Sequence, residues 1–156
     1  MNKVVLSFAQ LTTHQLYGIL KLRSEVFVVE QNCAYQDIDN HDLSAKHVLF
    51  CEGDELLAYS RLLPKGLTYA KPSIGRVVVS AKARGRKLGR ELLVFSIYQC
   101  QKIWPNEDIK IGAQCYLKGF YTSLGFEAIS EDYLEDGIPH LDMQLPKDKQ
   151  ITTSIA

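Results

Sequence analysis

The chain carries no long apolar run, no paired-cysteine motif, no internal repeat and no net charge, and each absence removes a class of protein. No segment of its 156 residues approaches the roughly 20 apolar residues that cross a bilayer, so no membrane partner is expected. The opening stretch, Met1 to Phe8, is too short in its apolar part for a secretory signal, which points to the cytoplasm. Cys33, Cys51, Cys100 and Cys115 are scattered, with no CxxC and no matching histidine spacing. Neither a metal site nor a disulfide framework is expected. Lys and Arg total 18, and so do Asp and Glu. That balance disfavours nucleic acid, as does a basic stretch without interleaved aromatics. No G-x-G-x-x-G follows a strand, which disfavours a dinucleotide enzyme.

What remains is an ordinary globular composition, 46% hydrophobic and 23% charged. It fits one mixed α/β domain over residues 1–146, with a loose polar tail at 147–156. The charges are segregated along the chain. From Arg61 to Arg90 there are nine Lys/Arg and no acid; from Glu30 to Glu55 there are seven acids and only Lys46. Two readings stand: two solvated faces, or a phosphate site beside an acidic site that draws in a cationic partner.

Periodicity gives the elements in outline. Lys3 to Phe8 alternates as a strand. Thr12 and Gln15 form a capping-box pattern that opens a helix through about Val28. A polar segment follows from Gln31 to Lys46. His47–Cys51 and Leu56–Leu63 then read as a hairpin, Ile74–Val79 as a strand, and Leu88–Ile103 as a helix ended by Trp104-Pro105. Ile109, Ile111 and Ala113 alternate in another strand. Leu117, Phe120, Tyr121 and Leu124 recur at helical spacing, and a hairpin runs out through Ile138 to Leu145. The order is β-α-β-β-β-α-β-α-β-β.

The run from Arg76 to Leu93 is the most informative segment. A β-branched strand breaks into a glycine- and arginine-rich turn that opens directly into an apolar helix. Such a turn aims unpaired backbone N–H groups and the positive end of a helix dipole at one point, where phosphate binds.

This run resembles the acyl-CoA site of the GNAT superfamily of N-acetyltransferases, whose pattern there is Arg/Gln-x-x-Gly-x-Gly/Ala. Gln114 to Phe126 is similar to the family's next segment, which ends in Tyr-x-x-x-Gly-Phe. Leu22–Gln31 and Glu135–His140 resemble the ElaA-like branch, and the resemblance spans about residues 3–145. It implies the GNAT acyl-CoA N-acyltransferase fold, a mostly antiparallel sheet flanked by helices. It also implies transfer of an acetyl group from acetyl-CoA to a primary amine, by direct attack in a ternary complex and with no metal. By this resemblance Val77, Val78 and Val79 pair with pantetheine. Arg84, Gly85, Arg86, Lys87, Leu88, Gly89 and Arg90 hold the pyrophosphate, and Tyr121 protonates the departing thiolate. Lys87 stands where the pattern has its first glycine. Cys115 stands where many members place a cofactor-holding asparagine, and Gln114 is its substitute.

Several roles have structural rivals. Tyr121 also suits a core position, and Val77–Val79 a plain core strand. The base is not marked by any strand glutamate, because Arg76 occupies that strand; His140 and Glu30 are the candidates, with His140 preferred. Arg23, Phe27, Glu30, Arg61 and Arg76 are candidate acceptor contacts, against a rival in which salt bridges pin the segment after Gln31. Two other functions compete: an acyl-homoserine-lactone-synthase-like acyltransferase, and a non-catalytic acyl-CoA sensor. A monomer and a homodimer are equally compatible with the chain.

Overall fold

The computed structural model describes residues 1–151. Strand β1 (Asn2–Ser7) leads to helix α1 (Thr13–Arg23), then β2 (Lys46–Glu52), β3 (Glu55–Leu63) and β4 (Ser73–Val79). Helix α2 (Leu88–Ile103), β5 (Ile109–Gln114) and α3 (Lys118–Ser123) follow, then β6 (Glu127–Ala128), β7 (Tyr133–Glu135) and β8 (Ile138–Leu145). The expected order holds, with the two-residue β6 as an addition. Strands β1-β2-β3-β4 form one antiparallel sheet; β5-β8-β6 form a second, with β7 also on β8.

The first sheet is covered on both faces because its strands alternate two apolar sets. Val48, Phe50, Ala58 and Leu62 pack with Leu92, Leu93 and Ile97 of α2. Leu49, Tyr59 and Val78 pack with Ile19 and Leu22 of α1. The α1 capping box forms as its sequence predicts: Gln15 N–H donates to Thr12 Oγ1 at 3.0 Å, and Thr12 N–H to Gln15 Oε1 at 2.9 Å. Beyond Arg23 the helix widens into a π-helical stretch, Ser24–Glu30, longer than expected from the sequence. Gln31 N–H reaches back to Val26 O and Cys33 N–H to Val28 O, both at 3.1 Å. Such widening is common beside functional sites.

Strands β4 and β5 lie side by side without a hydrogen-bond ladder, joined at one end by Lys110 N–H to Pro72 O at 3.0 Å. A bulge bends β4 at that opening. Tyr59 pairs with Val78 and Arg61 with Gly75, so Ser60 alone faces both Arg76 and Val77. Arg76 takes the strained φ of 50° that the bulge demands. The first part of the tail is held rather than loose. Gln101 on α2 donates to Lys149 O at 2.8 Å and accepts from Ile151 N–H at 3.1 Å. Positions 152–156 lie outside the described residues. No helix among the described residues is long and apolar enough to cross a membrane.

Candidate active site

The divergence of β4 and β5 opens a cleft of about 690 Å³. Val77, Val78 and Val79 form one wall, Ile111, Gly112, Ala113 and Gln114 the other, and Tyr121 lines it from α3. Ser80 N–H donates to Leu57 O at 2.8 Å. Backbone groups alternate along a strand, so Val79 turns its N–H and C=O the opposite way, toward the open edge.

Outside the cleft lining, against Val79 at the end of β4, stands the N-terminus of α2. Lys87 caps it in the left-handed region (φ 60°, ψ 23°) with no side-chain hydrogen bond, after Gly85 at φ 83°. The first-turn N–H groups of Leu88, Gly89 and Arg90 therefore have no capping partner. A Cβ built on Gly89 would lie 4.0 Å from Val79 Cγ2, which brings this terminus against the end of β4. Arg84 lines the cleft, whereas the Arg86, Lys87 and Arg90 side chains stand outside it. The Leu88 side chain is buried against Leu57 and Ala83, so only its backbone is available to a ligand.

The loop arginines already have partners. Arg84 makes a two-pronged pair with Glu30 at 2.6 and 2.7 Å. Arg86 does the same with Glu52 at 3.2 and 3.0 Å, and Arg90 donates to Ser123 Oγ at 3.0 Å. The Arg84 hydrogen bonds hold the Glu30 carboxyl below the usual carboxylate range. Both Glu30 oxygens are taken up by that pair.

A second charge cluster is buried. Arg23, wholly inaccessible, donates from Nε to Asp37 Oδ2 at 2.9 Å and from Nη1 to Asp42 Oδ1 at 2.7 Å. Arg61 grips Asp39 through two bonds of 2.7 and 2.9 Å and reaches Asp42 at 3.1 Å. Arg76 pairs through Nε with Asp37 at 2.8 Å and through Nη2 with Asp39 at 3.3 Å. Burial opposes ionisation of Asp39, but Arg61 and Arg76 outweigh it and hold its pKa at about 2.

Two sequence expectations change here. Arg23 does not line the cleft; it pins the segment after Gln31, as its structural rival required. Phe27, Glu30, Arg61 and Arg76 do line it. The acidic Glu30–Glu55 stretch is also not a free attractant. Glu55 pairs with Lys82 at 3.4 Å. With the pairs above, that leaves only Asp54 of its seven acids without an ion pair among the described residues.

The wall from the second sheet was largely missed from sequence. Ile109, Ile111 and Ala113 face the core, while Lys110, Gly112 and Gln114 present a polar phase with His140 and Asp142 of β8. Gln114 lies directly opposite His140. A Cβ on Gly112 would meet Tyr69 Oη at 2.9 Å and Tyr133 Oη at 3.2 Å, so this strand glycine lets two phenols close in. The Tyr133 hydroxyl donates to Asp142 Oδ1 at 2.6 Å. Lys110 Nζ is 3.6 Å from Asp142 Oδ2 and lies 4.5 Å over the Tyr69 ring. His140 is nearly buried, and its Nδ1 lies 2.7 Å from Ile138 O. Tyr121 packs edge-on against Phe120 and Phe126; burial, then the nearby Tyr116, pushes its phenol up to about 12. The alternation in β5 was visible in sequence, but its polar phase reads as solvated until β4 is known to leave that edge open.

Comparison with known proteins agrees with this geometry. Residues 10–147 match the sequence profile of the family described as "Acetyltransferase (GNAT) domain". Protein ElaA of Escherichia coli is 46% identical over 140 residues, 88% of this chain and 92% of that protein. The crystal structure of an acyl-CoA N-acyltransferase from Pseudomonas aeruginosa is 40% identical, with a TM-score of 0.88 over 92% of this chain and 98% of that one. A CoA-dependent acyl-homoserine lactone synthase superposes with a TM-score of 0.76 over 94% of this chain and 82% of that one. Its 14% identity carries the fold alone.

Proposed function

Because the chain belongs to the GNAT acetyltransferase family, we propose that it transfers an acetyl group from acetyl-CoA to a primary amine by direct attack in a ternary complex. The observation that carries this reading is that the open backbone edge at Val79 and the Tyr121 side chain share one cleft. The residues present fit a phosphorylated donor. The uncapped first turn of α2 and the neighbouring Arg84 suit a pyrophosphate, and the unpaired β4 edge suits an amide-containing arm. Gln114 adds a polar contact on the facing strand. When bound, the donor supplies an activated thioester.

The chain's own groups then divide the work. The N–H of Val79 stabilises the oxygen on which charge develops. His140 takes a proton from the attacking nitrogen, and Tyr121 gives its phenolic proton to the departing sulfur. The new C–N bond replaces the C–S bond, and solvent exchange returns both residues to their starting states. A phenol at about 12 is fully protonated at neutral pH, the form a general acid needs.

A cationic amine is supported by a different region from the one the sequence suggested. Glu135 and Asp136 line the cleft, and with Glu131 and Asp132 they have no Lys or Arg ion partner among the described residues. Arg61 and Arg76 are neutralised by their aspartates and oppose this charge little. The four cysteines form no disulfide among the described residues, which suits the reducing cytoplasm. Release of free thiol from acetyl-CoA, screened across primary amines, polyamines and peptides, tests the reading. Turnover that depends on Tyr121 is the expected result; binding without turnover on any amine would favour a sensor.

A further inference from the structure

His140 does not stand alone on the cleft wall. Its Nδ1 lies 2.7 Å from the carbonyl of Ile138, which can only accept, so that nitrogen carries the proton. The free position is Nε2, and it lies 3.4 Å from Glu135 Oε2. The ring stacks on Tyr133, centroids 6.1 Å apart and planes 22° apart. Tyr133 is itself fixed through its hydroxyl to Asp142 at 2.6 Å. Tyr133, Glu135, Ile138 and His140 belong to the β7–β8 hairpin, where Tyr133 pairs with His140 and Glu135 with Ile138. The hairpin thus sets the tautomer, the tilt and the charge partner of one imidazole. A surface histidine with a chance neighbour would show one of these restraints, not three.

We infer that Glu135 is a positioning residue for His140, stabilising the imidazolium formed when the acceptor's proton arrives and passing that proton on to solvent. The inference rests on the acetyl-transfer reading above. It adds which group makes a lone histidine an effective base. The proton moves from the acceptor nitrogen to His140 Nε2. From there it moves to the Glu135 carboxylate, whose side chain is 59% exposed, and then to water; no other bond changes. The charged and titratable groups around the imidazole are Glu135 and Tyr133 from β7, with Asp142 and Lys110 behind Tyr133. Gln114 of β5 is its neutral cross-strand neighbour.

The test has one arm that needs no acceptor. Long-range 1H–15N NMR of the imidazole is expected to show the Nδ1–H tautomer in the native protein. Glu135→Gln should leave that tautomer in place, because the Ile138 carbonyl sets it, and should move the Nε2 resonance, because the carboxylate beside that nitrogen is gone. In the kinetic arm, acetyl-CoA is held saturating and the probe is the best amine from the thiol-release screen. Glu135→Gln should lower kcat roughly tenfold and leave the acetyl-CoA KM unchanged. In a His140→Gln background the same change should cost nothing further in kcat, since there Glu135 acts through His140, and any remaining loss falls on the amine KM. Glu135→Asp should recover part of the loss. An unmoved Nε2 resonance with an unchanged kcat would overturn the assignment, as would an equal loss of kcat in the His140→Gln background. A wild-type protein inactive on every amine would instead overturn the acetyl-transfer reading, while the NMR arm still reports whether Glu135 tunes the imidazole.

Discussion

Two sets of arginine–carboxylate pairs tie down the acidic stretch between Glu30 and Glu55, and they differ in kind. Arg23, Arg61 and Arg76 with Asp37, Asp39 and Asp42 form a closed network in which the Arg23 side chain is 0% and that of Asp42 8% exposed. Arg84–Glu30 and Arg86–Glu52 have the same chemistry with side chains 44–49% exposed. In sequence, apart from Arg23 of α1, both sets are one pattern, acids from Glu30 to Glu55 and bases from Arg61 to Arg90. Burial separates them. The inner set is buried at Arg23, Asp42, Asp37 and Arg61 and partly exposed only at Asp39 and Arg76, so its buried members depend on one another. The outer set trades freely with solvent and with any phosphate that arrives.

The largest expected effect lies in the inner set. Asp42→Ala leaves three guanidiniums against two carboxylates and strips the wholly buried Arg23 of one of its two carboxylates. It should cost about 3–5 kcal/mol in denaturant unfolding, the usual penalty for orphaning a buried ion. Acid should act on the same network. The Asp39 pKa, about 2, and the Asp42 pKa both lie below the ordinary 3.8. The unfolded chain therefore takes up protons first as pH falls. Their stabilisation is complete above about pH 4 and is lost progressively toward pH 2. His47 adds an earlier loss: burial lowers its pKa from 6.5, so stability starts to fall below about that pH. A flat thermal midpoint from pH 7 to pH 3 would break the distinction between the two sets.

How far the sequence was legible follows from the same difference. Local signals held: the Thr12–Gln15 capping box, the alternating strands, and the glycine-rich turn before α2 depend on neighbours in sequence. What failed was partnership. The charge segregation was plain, but nothing local says that Arg84 meets Glu30 across 54 positions. The acidic stretch therefore looked like an attractant when it is mostly a set of internal counter-ions. The polar phase of β5 was equally visible, and its meaning waits on β4 standing apart. Arg76 gave no sign of its positive φ, because the bulge comes from register with β3.

Lys87 gives an intermediate effect. Its φ of 60° is one that a glycine adopts without a Cβ penalty. Lys87→Gly should therefore raise the thermal midpoint by about 2–4 °C, equivalent to roughly 1 kcal/mol in a domain of this size. Coenzyme A titration of the same variant separates two contributions at this position. Tighter binding assigns the wild-type cost to backbone strain; weaker binding assigns the ammonium to phosphate.

The smallest stability effects belong to the outer set, and there the contrast is sharpest. Glu30→Gln keeps the shape of the carboxylate but removes the charge that occupies Arg84. The midpoint should stay within about 2 °C of wild type, because the pair is solvated on both sides. Coenzyme A binding should tighten a few-fold and become more salt-sensitive, since the freed guanidinium can pair with a phosphate. Arg86→Ala should match it in stability, and because Arg86 stands outside the cleft it should change affinity less. Were Glu30→Gln to destabilise the fold as far as Asp42→Ala, exposure would not be what divides the two sets. If it leaves the fold intact and coenzyme A binds more tightly, Glu30 is an internal competitor for the arginine that lines the cleft.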